Sequence, residues 1–225
     1  MFVVKVKRIV VAVILIAVFV FLAVGVPSIV VAASPKPNYV VVLDAGHGGA
    51  DGGVVGVNTG VCEREINMII TYKVKALLEK QGVGVELTRD SGVGAEPTIT
   101  KKQEDMKLRK EKILKAKPNL VVSIHQNKYS SPNRRGAQVF YWSDDTLAKS
   151  LQAVMNEEIN KVNQGRTYSA LKGDYYILQC TEYPSALVEC GFLSSPLDEA
   201  LLVTDEYQNK IAKCIAQGIM NFLVA

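Results

Sequence analysis

Residues 39–49, Tyr39-Val40-Val41-Val42-Leu43-Asp44-Ala45-Gly46-His47-Gly48-Gly49, pass from a short β-branched apolar run straight into a glycine-rich turn that carries a histidine. A run this short and this apolar, closed by glycines, predicts a strand buried on both faces, Tyr39–Leu43. The pattern repeats downstream. Glu63–Gln81 predicts a helix, with Ile66, Ile69, Ile70, Val74, Leu77 and Leu78 on one face and Gly82 as its stop. Val83–Thr88 reads as a strand, 90–100 as a polar loop, and Lys101–Lys117 as a charged helix stopped by Pro118. Leu120–Ile124 is a second buried strand, followed by a loop over Lys128–Arg135, a strand over Ala137–Trp142 and a helix over Thr146–Val162. Tyr175–Leu178 and Ser185–Val188 predict short strands, and Asp205–Leu223 a closing helix. Strands alternating with helices predict an α/β fold: a single domain whose twisted, mostly parallel or mixed sheet has helices on both faces.

The first 33 residues are a different object. Lys5, Lys7 and Arg8 precede an unbroken apolar run from Ile9 to Val26, and small residues Val31 and Ala33 follow. A positive flank, an apolar core and small residues predict export, with residues 1–33 as a signal peptide or, if uncleaved, a membrane anchor. Residues 34–38 form a Pro-containing linker, and a single folded domain spans 39–225. The expected location is outside the cytoplasmic membrane.

In 225 residues the formal charge is only +4, and the basic run Lys101 to Lys112 is broken by Glu104, Asp105 and Glu111. That pattern is a solvated helix face, and no nucleic-acid partner is expected. Cys62, Cys180, Cys190 and Cys214 form no CxxC motif, so buried or isolated thiols are expected. The rival reading makes Cys62 or Cys190 a metal ligand or joins them in a disulfide.

The chain contains two histidines, His47 and His125, each just past the end of a predicted strand. Ligands bind at that end of an open α/β sheet. The glycines around His47 allow close backbone approach, but the turn lacks the Lys-Ser/Thr ending of a P-loop, and it does not lead directly into a helix as a dinucleotide fingerprint does. Glu63 opens a helix sixteen positions after His47, and Glu189 stands at the end of an apolar strand, where a carboxylate needs a partner or a task. Two histidines and a glutamate with a second glutamate beside them match a zinc hydrolase, in which the extra carboxylate takes the proton of a water. The same trio also suits non-haem iron(II).

The blocks Asp44-Ala45-Gly46-His47-Gly48-Gly49, Glu63-Arg64, Ser123-Ile124-His125-Gln126-Asn127 and Val188-Glu189-Cys190-Gly191-Phe192-Leu193 occur in an order and spacing that resembles the N-acetylmuramoyl-L-alanine amidases of the Amidase_3 family. Arg134-Arg135-Gly136-Ala137-Gln138 and the short chain make it most similar to the CwlD type of spore-cortex amidase. The resemblance implies Zn2+ held by His47, Glu63 and His125, with Glu189 as the catalytic carboxylate. Glu65 is the rival to Glu63, which the basic neighbour Arg64 favours, and two residues so close on a helix point apart. Asn127 is expected to contact substrate. Asp44 is expected either to orient a histidine ring or to cap the glycine turn, and Arg89 and Arg109 to serve as ion pair or carbonyl clamp. Tyr168, Tyr175, Tyr176 and Trp142 are candidates for a sugar-stacking wall. The implied substrate is the peptidoglycan glycan strand with its stem peptide, cut in the cell wall or the spore intermembrane space in preparation for muramic lactam formation. A protein partner of unknown identity is left open. The alternatives are a zinc peptidase acting on wall stem peptides and a silent wall-binding or scaffolding protein.

Overall fold

The first strand, β1 (Val40–Ala45), alternates its side chains between two cores. Val41 and Leu43 enter one, and Val42 enters the other, as the two-residue period of a strand covered on both faces requires. The computed structural model describes residues 37–90 and 101–225. The expected leader, most of the linker and the loop over 91–100 lie outside the described residues.

The other strands are β2 (Gly84–Leu87), β3 (Leu120–Asn127), β4 (Gln138–Tyr141), β5 (Leu171–Lys172) and β6 (Ser185–Phe192). They form one six-stranded sheet in the order β2-β1-β3-β6-β4-β5. β2, β1, β3 and β6 run parallel, while β4 is antiparallel to β6. Helices α1 (Glu63–Glu79), α2 (Lys102–Ala116), α3 (Thr146–Met155), α4 (Tyr176–Gln179), α5 (Pro196–Leu202) and α6 (Asp205–Leu223) complete the described residues. α3 runs on through a π turn at Asn156–Asn160 into Lys161–Gln164. The larger core joins α1, α3 and α6 to one face of the sheet, and Ile113 of α2 with Ile177 and Leu178 of α4 packs on the other. The expected α/β sheet with helices on both faces is present.

Four differences from the sequence reading have physical causes. Tyr175–Leu178 is not a strand. Ile177 and Leu178 are neighbours buried in the same core, which a helix permits and the alternation of a strand forbids. α5 forms where no element is expected from the sequence, although Ser195-Pro196 followed by Asp198 and Glu199 is a recognisable helix start. On α1, Ile69 faces outward while Asn67 and Thr71 turn inward; the inward polar residues serve the site. Finally, β3 and β6 each extend past their apolar runs, so His125 and Glu189 lie within the ladder as register partners. The polar end of each strand stays extended because its neighbour still supplies hydrogen bonds.

Candidate metal and catalytic site

His47 follows β1 by two residues and holds a left-handed backbone, φ 60°, which costs a non-glycine residue on the order of 1–3 kcal/mol. Two buried arginines hold the loop in that shape. Arg89 Nε donates to the Ala45 carbonyl at 2.7 Å and Nη2 to that of Gly46 at 3.1 Å. Arg109 Nη1 donates to the Ala45 carbonyl at 2.9 Å and Nη2 to that of His47 at 2.6 Å. Asn67 Nδ2 adds a bond to the Gly46 carbonyl at 3.1 Å. Gly46 has to be glycine, because a Cβ there would stand 2.2 Å from the His125 ring.

Glu63, buried at the first turn of α1, reaches between the two imidazoles. Its Oε2 lies 3.2 Å from His47 Nε2, and its Oε1 lies 2.9 Å from His125 Nδ1. The amides of Val54 and Gln126 each donate to this carboxylate at 2.9 Å, and Asn67 Nδ2 donates to it at 3.2 Å. Burial alone raises the Glu63 carboxyl, but the hydrogen bonds and charges of the two histidines outweigh burial and hold it far below the usual range. For His47, burial acts downward, and the carboxylates of Glu63 and Asp51 overcome it and raise the ring. Asp51 Oδ2 lies 2.9 Å from His47 Nδ1, close enough for charge attraction but outside hydrogen-bond geometry.

The two rings meet edge to face with centroids 4.9 Å apart. Ligand atoms of His47, Glu63 and His125 all lie within 4.8 Å of one another, a cluster able to hold a metal ion. The donor set fits a divalent cation of the zinc class: two imidazoles and a carboxylate. Glu189, the register partner of His125, is buried, and its Oε2 has no hydrogen-bond partner. Burial first, and the charge of Glu63 second, push its carboxyl well up. A buried, unpartnered carboxyl oxygen is costly without an occupant or a reacting group to meet.

The remaining expected residues fall on either side of this cluster. Glu65 is exposed on α1, pointing away from the histidines. Asn127 ends β3, and its Oδ1 accepts the Lys128 amide at 2.7 Å. Asp44 lies beneath the cluster and accepts from Thr88 and Ser123 at 2.5 Å and from Arg109 at 2.6 Å. Its described partners are these three, and the carboxylate beside the other His47 ring nitrogen, Nδ1, is that of Asp51. Burial would raise Asp44, yet Arg109, with Ser123 and Thr88, holds it at about 2.

A folded value below the unfolded one means that the Asp44 carboxylate stabilises the protein above about pH 4, and that this is lost as pH falls through about 2. The drop from 3.8 to about 2 corresponds to about 2 kcal/mol. Urea unfolding across this range is expected to show that loss. Asp44→Asn should flatten this part of the profile and cost about 2 kcal/mol at neutral pH, because Arg109 loses its most buried partner and keeps only the ion pair with Asp105 at 2.7 Å.

All four cysteines are unpaired thiols. Cys190 packs into the larger core, on the face opposite Glu189, and burial pushes its thiol up. Neither a disulfide nor a thiolate ligand at Cys190 fits that placement. Of the four aromatic candidates, Tyr175 and Tyr176 line a cleft of about 250 Å³ whose walls also include His47, His125, Lys102 and Met106. Trp142 instead lies under Lys172 at 4.7 Å, and Tyr168 under Arg134. A larger groove of about 560 Å³, lined by Val40, Glu86 and Lys112, contains none of the clustered residues.

The sequence reading gave no role to Asp51, Asn67 or Gln126. Asn67 carried a usable signal: a polar residue on an otherwise apolar helix face, four positions after Glu63 and so directly beside it. Gln126 Nε2 donates to Asn67 Oδ1 at 3.1 Å, which orients the asparagine toward Glu63.

Comparison with known proteins shows the family and agrees with the fold. The family profile described as Amidase_3, N-acetylmuramoyl-L-alanine amidase, matches residues 41–221. The germination-specific N-acetylmuramoyl-L-alanine amidase of Bacillus subtilis is 32% identical over 194 residues, covering 84% of this chain and 81% of that protein. The solved CwlD amidase of Clostridioides difficile, in complex with the GerS lipoprotein, superposes with a TM-score of 0.75 at 37% identity, covering 83% of this chain and 99% of that one. The amidase AmiC2 of Nostoc punctiforme superposes at 0.73 with 31% identity, covering 86% and 100%.

Proposed function

Because this chain belongs to the N-acetylmuramoyl-L-alanine amidase family, we propose that it cuts its peptidoglycan amide with zinc bound by His47, Glu63 and His125, using Glu189 to move the proton. One observation carries the proposal: Glu63 is clamped between two imidazoles, and an unpartnered Glu189 is the register partner of one of them. Zinc in such a site polarises the scissile carbonyl and makes a water acidic enough to attack near neutral pH.

The protein residues do the rest. Arg89, Arg109 and Asn67 hold the His47 loop, and Val54, Gln126 and Asn67 fix the Glu63 carboxylate, so the cluster needs little reorganisation. Glu189 Oε2, free of internal partners, accepts the proton of the attacking water and returns it to the alanine nitrogen as the carbon–nitrogen bond breaks. The products are a muramic lactyl carboxylate and a peptide with a free L-alanine amine. In this reading Asn127, at the end of β3, contacts the substrate on one side of that amide.

The likeness to a germination-specific amidase and to CwlD supports a role in spore-cortex maturation, where removing the stem peptide prepares muramic acid for lactam formation. Action outside the cytoplasmic membrane goes with this family, and residues 1–33 supply the export signal or the anchor in this reading. No helix among the described residues is long and apolar enough to cross a membrane. A lipoprotein partner belongs to the same reading, since the solved CwlD was captured with one.

The test is to digest purified muropeptides with zinc-loaded protein and identify the new ends by mass spectrometry. A free L-alanine amine beside an intact disaccharide is the expected product. Cleavage within the stem would favour a peptidase. Full activity with iron(II) and none with zinc would overturn the metal assignment.

A further inference from the structure

Arg134 and Arg135 are neighbours in the loop after β3, and the fold uses them differently. Arg135 Nε donates to Asp198 Oδ1 at 2.9 Å. The other oxygen of Asp198 takes the amides of Gly136 at 2.7 Å and Phe192 at 3.1 Å. Arg135 is therefore committed to fastening the loop to α5. The Arg134 guanidinium instead lies over two aromatic faces, 5.0 Å from the Tyr168 ring centre and 5.9 Å from that of Phe192. No carboxylate is among its described contacts.

Stacking of this kind holds the plane of the guanidinium by cation–π attraction and consumes none of its five N–H donors. The platform is itself fixed. Tyr168 Oη donates to the Arg135 carbonyl at 2.9 Å, and Asn156 bonds both the amide and the carbonyl of Tyr168. Phe192 pairs with Asn127 at the carboxyl end of the β3–β6 ladder, three residues beyond Glu189, or roughly 10 Å along a strand. The rings thus place an unspent cation at the same end of the sheet as the metal cluster, within reach of a substrate a few residues long.

We propose that Arg134 is a specificity-determining residue that receives a carboxylate on the peptide side of the scissile amide. The proposal rests on the amidase reading. In that substrate the lactyl carboxyl is consumed in the amide and the acetylated sugars are uncharged, so free carboxylates lie on the peptide. A planar fork held by stacking matches a carboxylate with two parallel hydrogen bonds. Arg134 therefore selects which way the substrate lies across Glu189: peptide toward the Tyr168–Phe192 platform, glycan away from it.

The experiment compares kcat/KM of the full-length protein on a muropeptide with free stem carboxyls and on the same muropeptide with those carboxyls amidated. The unaltered protein is expected to prefer the acid form. Arg134→Met should lower kcat/KM on the acid form by roughly 10- to 100-fold, mainly through KM, and should lower it far less on the amide. Arg134→Lys should recover only part of the preference, since an ammonium lacks the fork, and it carries the test if the Met variant fails to fold. Equal losses on both substrates would mean a purely structural staple and overturn the proposal, as would an undiminished rate on the acid form. Failure of the amidase reading is separate: the unaltered protein would then release no L-alanine amine from either substrate.

Discussion

Glu189→Gln is expected to retain its full complement of metal and to lose turnover by about 10²- to 10⁴-fold. Glutamine preserves the volume and shape of the side chain but cannot take a proton at Oε2. Glu189 is outside the His47, Glu63, His125 cluster, so metal content has no reason to change. Stability should hold or rise. Burial and the charge of Glu63 already push the Glu189 carboxyl up, and a neutral amide at a buried site avoids the cost of a charge. Elemental analysis, a melting curve and a single-turnover assay on one preparation check all three points. Near-normal turnover would remove Glu189 from the chemistry, and loss of metal would make it a ligand.

Glu63→Ala is expected to have the larger structural consequence. Its carboxylate is met by two imidazoles, two backbone amides and Asn67. Removing it takes away one of the three proposed metal ligands and leaves the Val54 and Gln126 amides without an acceptor. Metal affinity should fall by more than the roughly 10- to 100-fold typical of losing an outer partner, and each stranded buried donor adds about 1–3 kcal/mol of destabilisation. His125→Ala should also lose metal while leaving those amides satisfied, so the difference in stability between the two variants isolates the hydrogen-bonding role of Glu63. Glu65→Ala, on the exposed side of α1, should bind metal normally. Isothermal titration of metal into the stripped proteins measures the series. Weaker binding by the Glu65 variant than by the Glu63 variant would reverse the assignment.

Much of the fold could be read in advance, because its central strands are short β-branched runs and Gly82 and Pro118 stop two of its helices. Lys102–Ala116 and Asp205–Leu223 form close to their expected limits. Misreadings occurred where local pattern carries little information. Four residues at Tyr175–Leu178 cannot distinguish a strand from a helical turn, and only the shared burial of Ile177 and Leu178 reveals the turn. The extensions of β3 and β6 are written in polar residues, His125-Gln126-Asn127 and Glu189-Cys190, whose extended state depends on the partner strand.

From the sequence alone came an α/β sheet, two histidines at strand ends, a glutamate at a helix start and a second one closing an apolar run. Each is a local statement, set by periodicity, turn chemistry and the cost of burying charge. Only the tertiary structure decided how these residues meet. Parallel pairing of β3 with β6 aligns His125 with Glu189. The packing of α1 brings Glu63 between rings that lie 78 positions apart in the chain. Two arginines from elsewhere hold His47 in a conformation that it would not adopt unaided. Contacts between distant segments depend on loop closure and register, and no local pattern of side chains encodes either one.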